Sequence, residues 1–194
     1  MIADAAALAP FLEKLKTLYE DMDRAYEETA DSYGFRCRGC EDNCCLTRFY
    51  HHTWLEYACL RQGYLAINER SRSEIFKKAG EVCEQSAEAD AKREPIRIMC
   101  PLNAGGLCGG YAFRPMICRL HGLPHELRRP GQAMAYGPGC GDFEKQTLGQ
   151  KYIPFDRTPF YARMARLENE MRTALGISPK IRMTIAGMIR TFPQ

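Results

Sequence analysis

The chain has 194 residues, of which 45% are hydrophobic and 26% charged, with a formal net charge of +3. That length buries a core without needing crosslinks, and no apolar run approaches the roughly 18 residues of a membrane span. Charge is uneven, with 14 Lys/Arg against 18 Asp/Glu in residues 1–97 and 13 against 6 in residues 98–194. No dense basic tract or aromatic nucleic-acid motif accompanies the basic half, which argues against nucleic-acid binding.

The first predicted element is a long amphipathic helix over about residues 4–33. Leu8, Phe11, Leu12, Leu15, Leu18, Tyr19, Met22 and Tyr26 recur at spacings of three and four. Pro10 suits its first turn and Gly34 its exit. Residues 35–52 read as irregular. A second helix is expected from Thr53, where Thr53-Trp-Leu-Glu56 forms a capping box, and a third from Ser71, where Ser71-Arg-Ser-Glu74 repeats the device. The third helix carries Ile75, Phe76, Ala79, Val82 and Cys83 on one face.

Residues 96–141 show little periodicity. Pro115 can open a short helix carrying Cys118, and Met134-Ala-Tyr136 reads as a brief strand. Two helices close the chain over about residues 158–191. Thr158-Pro159 caps the first, with Phe160, Met164, Leu167, Met171 and Leu175 inward and Gly176 past its end. Ser178-Pro179 caps the second, with Ile181, Ile185 and Met188 inward. The expected fold is mainly α: one domain, a helical scaffold around irregular, cysteine-rich, metal-binding loops.

Ten cysteines stand in the chain, five of them between Cys37 and Cys59. The N-terminus lacks a basic leader and an apolar secretory core, so the expected compartment is the cytoplasm. There, clustered thiols are more often metal ligands than disulfides. The first cluster is Cys37-Arg-Gly-Cys40-Glu-Asp-Asn-Cys44-Cys45. A C-x-x-C pair brings two thiolates to one metal. Adjacent Cys44 and Cys45 point apart, so one is expected to ligate with Cys37 and Cys40 and the other to serve a second centre or pack nearby.

The second cluster is Cys100-Pro101 through Cys108, then Arg114-Pro115-Met-Ile-Cys118-Arg119, with Cys140 inside Gly137-Pro-Gly-Cys140-Gly141. Eight thiols permit two four-thiolate sites, or one site with spares. Zinc takes four thiolates in a closed tetrahedron, and a four-iron cluster takes four as well. Cys59 and Cys83 have sufficient packing roles on their helices. Arg36, Arg38, Arg114 and Arg119 lie beside ligand candidates and would lower thiol pKa values. Among the four histidines, His121 is the best alternative ligand, ahead of His51, His52 and His125.

These segments together resemble the YkgJ-type cysteine-cluster proteins, described as zinc- or iron-chelating domains. The resemblance rests on the first cluster, Cys100-Pro-Leu, Gly106-Leu-Cys108, Tyr111, Arg114-Pro115 and Cys118-Arg119, and spans about residues 37–140. It implies Cys37, Cys40, Cys44, Cys45, Cys100, Cys108, Cys118 and Cys140 as the metal ligands. One departure stands out. The usual motif is C-x-x-C-x-x-C-C, whereas three residues here separate Cys40 from the Cys-Cys pair.

Three functions are compatible with this pattern. The chain can be an iron–sulfur protein of the 4Fe-4S kind, in electron transfer or sensing, or a structural zinc adaptor or metal-handling module with a protein partner. The related cluster in flagellin lysine N-methylases opens a methyltransferase reading. Against that last reading, no Gly-x-Gly-x-x-Gly signature or C-x-x-x-C-x-x-C spacing is present.

Overall fold

A computed structural model describes residues 5–37 and 44–193. The helices are α1 (Ala5–Ser32), α2 (Trp54–Leu65), α3 (Glu69–Lys92), α4 (Met116–Leu120), α5 (Gly141–Gln146), α6 (Thr158–Ala174) and α7 (Ile185–Ile189). Two small antiparallel hairpins interrupt them, β1 (Asn103–Ala104) with β2 (Leu107–Cys108), and β3 (His125–Arg128) with β4 (Met134–Gly137). The fold is mainly α, and no helix among the described residues is long and apolar enough to cross a membrane.

The chain divides into two compact units and visits each twice. The first comprises Met1–Asp42 and Met116–Ile177, the second Asn43–Pro115 and Ser178–Gln194.

The first unit is built on α1. Leu8, Leu15, Leu18, Tyr19 and Met22 bury one stripe of it, as the periodicity predicts, and α6 opposes them with Met164, Leu167 and Met171. Each such side chain contributes about 1.5–3 kcal/mol on burial. The helix starts where expected, at Ala5, and Pro10 therefore falls in its second turn rather than its first. The exit follows the expectation. Gly34 adopts φ +65°, Phe35 N–H donates to Ala30 O and Gly34 N–H to Asp31 O, a Schellman closure that a side chain at Gly34 would strain. Phe143 of α5 sits edge-on to Tyr33 and Phe35, at 4.8 and 5.2 Å between centroids. Neither α5 nor β3 was legible as an element, since both are short and lack a clear hydrophobic period.

The start of α6 differs from expectation. Thr158 is inside the helix, and the capping acceptor is Asp156 Oδ1, which takes the Thr158 N–H at 2.8 Å. Thr158 Oγ1 instead accepts from Arg128 N–H of β3.

The second unit packs α2, α3 and α7. Thr53 caps α2 as predicted, accepting from Glu56 N–H at 3.2 Å. Helix α3 begins earlier than Ser71, because Asn68 is the cap and accepts the Ser71 N–H at 3.0 Å. An Asn there serves the first turn better than the capping box two residues inside the helix. Residues 178–184 are extended rather than helical. Met183 exchanges backbone hydrogen bonds with His51, and Thr184, not Ser178, caps α7. Met188, Ile189 and Phe192 fill the core against Leu55, Leu60 and Tyr64. Gly63 of α2 lies under the Phe113 ring, which a Cβ would overlap.

Candidate metal centre

In the second unit, four candidate thiols are drawn from three stretches of chain. Cys44 and Cys45 begin a single 3-10 turn. Arg48, three residues on, pairs with Asp90 of α3 at 2.7 Å and ties that turn down. Cys45 O accepts the Cys100 N–H at 2.9 Å, which brings the stretch after α3 alongside. The β1–β2 hairpin then returns the chain. Gly105 and Gly106, at φ +60° and +89°, form its two-residue turn, a geometry that needs left-handed backbone at both positions. The register places Cys108 opposite Asn103, three residues from Cys100.

The electrostatics follow from this crowding. Burial pushes the Cys100 thiol up to about 12, and the neighbouring Cys45 and Cys108 add to the shift. Burial also raises Cys108, with Cys45 contributing, while the Gly110 N–H and Arg114 oppose it. Cys45 moves the other way, to about 6, chiefly because Cys44 hydrogen-bonds to it. The Asn103 side chain lowers it further. Asn103 Nδ2 is buried with no well-formed hydrogen bond among the described residues. Thiolates this close cannot all ionise without a compensating cation.

Charge coupling is not yet coordination. Among the described residues, no group of three or more His, Cys, Asp or Glu side chains is gathered closely enough to hold a metal ion. Cys45, Cys100 and Cys108 sense one another's charge without converging on one point. The donor set is nevertheless soft sulfur, suited to zinc or an iron–sulfur centre. The unmatched Asn103 N–H beside it is a donor that a metal-bound thiolate would satisfy. On those grounds the residues fit such a group.

The other candidates belong to the first unit. Cys118 is half-buried on α4, the helix expected after Pro115. Cys140 N–H donates to Gly122 O at 2.8 Å, and Cys140 Sγ accepts the Phe143 N–H at 3.4 Å. Arg157, buried beneath this loop, donates to Leu120 O and Leu123 O, and burial lowers its pKa to about 10. Nothing in the sequence around Arg157 signals that role. Cys37 is exposed at the end of the described stretch, and Cys40 and Arg38 lie outside the described residues. The pairing of one member of Cys44-Cys45 with Cys37 and Cys40 therefore rests on the sequence alone. Both Cys44 and Cys45 fall in the second unit.

The flanking cations play different parts. Arg114 stacks on Tyr111 with its guanidinium 3.7 Å from the ring centroid. Arg119 is buried, paired with Asp23 and lying 4.0 Å from the Tyr19 ring centroid. Arg36 pairs with Asp31 at the surface. Cys59 and Cys83 lie on α2 and α3, half-buried, and burial raises the Cys83 thiol.

Compared with known proteins, the chain matches no family model, no curated protein and no solved structure.

Proposed function

We propose that this protein binds a metal through its clustered cysteines, and that the centre is an iron–sulfur cluster of the four-iron kind used in electron transfer or sensing. The observation that carries the reading is that the backbone draws Cys45 and Cys100 alongside each other and that Cys45, Cys100 and Cys108 are charge-coupled, with Cys44 hydrogen-bonded to Cys45. More than fifty residues of chain separate Cys45 from Cys100. A thiolate at Cys45 beside two further thiols makes ionising the others costly without a compensating cation. The resemblance of residues 37–140 to the cysteine-cluster family supports the same reading. So do the Cys-Pro step at Cys100 and the Arg114-Pro-Met-Ile-Cys118-Arg119 run.

Cys44, Cys45, Cys100 and Cys108 would hold the centre in the second unit. Bound there, a cluster supplies one-electron redox chemistry. The Leu102 and Gly110 N–H groups already hydrogen-bond to the Cys100 and Cys108 sulfurs, the kind of contact that tunes a cluster's potential. The hairpin fixes the spacing of those two ligands.

Anaerobic purification followed by absorption spectroscopy and metal and sulfide analysis tests the proposal. The expected protein is brown, absorbs broadly near ~400 nm and carries iron with acid-labile sulfide. A colourless protein with stoichiometric zinc would replace the cluster by structural zinc. A protein that binds neither removes the reading.

A further inference from the structure

A second surface, on the β3–β4 hairpin of the first unit, carries its own signal. In the β3–β4 hairpin Glu126 stands directly opposite Tyr136. On its other edge Glu126 bridges to Asp156. Glu126 N–H donates to Phe155 O, and Arg157 N–H donates to Glu126 O. Residues paired in this way present their side chains on one face. Tyr136, Glu126 and Asp156 therefore form a row across three adjoining segments. The alternation agrees, because Phe155 and Arg157, on either side of Asp156, are buried on the opposite face. Tyr152 completes the group by donating its hydroxyl to Glu126 Oε1 at 3.1 Å.

Two features of this row lack an internal explanation. Tyr136 is 71% exposed and Tyr152 45% exposed, though large aromatic rings usually bury. Glu126 and Asp156 face each other directly, an arrangement that costs stability for like charges. Neither has an ion-pair partner among the described residues. Glu126 accepts from Tyr152, and Asp156 accepts from the Thr158 N–H. Arg128 lies two residues along the same face, but it pairs with neither. A cation beside the two carboxylates would relieve the repulsion and gain the attraction of a tyrosine face.

We infer that this face binds a lysine or arginine side chain presented by a basic segment of another protein. Charge complementarity selects the partner. Two carboxylates that are hydrogen-bonded but have no ion-pair partner among the described residues, beside two exposed tyrosines, attract a cation with an apolar stem and repel an acidic peptide. Gly137 is part of the construction. A Cβ there would overlap the His125 ring, so a side chain at position 137 would displace that ring.

The test is a titration of the isotopically labelled full chain with a lysine-rich peptide, followed by NMR. Tetramethylammonium alone and a glutamate-rich peptide serve as comparisons. Saturable shifts centred on Glu126, Tyr136 and Tyr152 with the lysine peptide are expected, weaker with tetramethylammonium and absent with the acidic peptide. Glu126→Gln and Tyr136→Ala should each weaken binding by about threefold to fivefold, in line with one exposed cation–π contact or ion pair. Tyr136→Phe keeps the ring and should bind as the parent does, which separates lost recognition from lost folding. Diffuse, unsaturable shifts, equal binding by Glu126→Gln, or a tetramethylammonium response equal to that of the peptide would overturn the inference.

Discussion

Cys45, Cys100 and Cys108 differ because of what touches each of them. Cys45 has a thiol and an amide beside it, whereas at Cys100 burial outweighs the Leu102 N–H that opposes it. If the three serve one centre, Cys108→Ser should strip the metal while Cys83→Ser keeps it, as metal analysis of the two purified variants will show. The second change costs only about 1–3 kcal/mol, from burying a hydroxyl. Loss of metal from Cys83→Ser would show that α3 contributes a ligand after all. His51 offers a different test. It is 2% exposed, its Nε2 has no hydrogen-bond partner among the described residues, and Glu56 Oε1 is 4.0 Å from its Nδ1. The carboxylate favours the imidazolium and burial opposes it. Burial wins and holds the ring near pKa 4, below the usual 6.5. The unfolded chain therefore binds the proton first as pH falls. Stability is full above about 6.5 and declines through 4, by about 3 kcal/mol in all. Urea melts at pH 7.5 and 4.5 should show that decline, and it should flatten in His51→Leu.

Among the elements, the hairpin that carries Cys108 is the most exacting. Its two-residue turn uses Gly105 and Gly106 in left-handed backbone. Gly106→Val should therefore destabilise the hairpin and release metal, whereas Ala104→Ser on the adjoining strand should not. Gly63→Ala tests the support behind it. The added methyl would push Phe113 off α2 at a cost of about 1–3 kcal/mol, read from a shifted thermal midpoint. Legibility also divides at this scale. The stripe of α1, the Thr53 cap and the short helix after Pro115 were readable because period, capping and proline geometry are local signals. The starts of α3, α6 and α7 were misplaced by competing caps. Asn68, Asp156 and Thr184 each satisfy the first-turn N–H groups, and only folded geometry shows which acceptor reaches them. The β1–β2 hairpin was missed because each strand is two residues long, too short for alternation to register.

Across the whole molecule, spacing along the sequence does not say which thiols come to sense one another. Cys45, Cys100 and Cys108 are charge-coupled, and the hydrogen bond from Cys100 N–H to Cys45 O that draws two of them alongside is a contact between distant segments. Asn103 and Arg157 were invisible for the same reason. If metal organises the second unit, removing it with a chelator should raise hydrogen exchange across residues 99–110. The α1–α6 pair of the first unit, held by apolar contacts and by ion pairs such as Arg163 with Asp21, should stay protected. Uniform loss of protection in both would show that the centre supports the entire chain.

The interleaved path of the polypeptide has a consequence for biosynthesis. Because each unit borrows its second portion from beyond the other's first, neither can close while the nascent chain is short. Residues 43–115 emerge well before α7 exists to cover α2 and α3. Throughout that interval the apolar faces of α2 and α3 lack the cover that Met188 and Ile189 later give them, and the order of translation sets how long they stay bare.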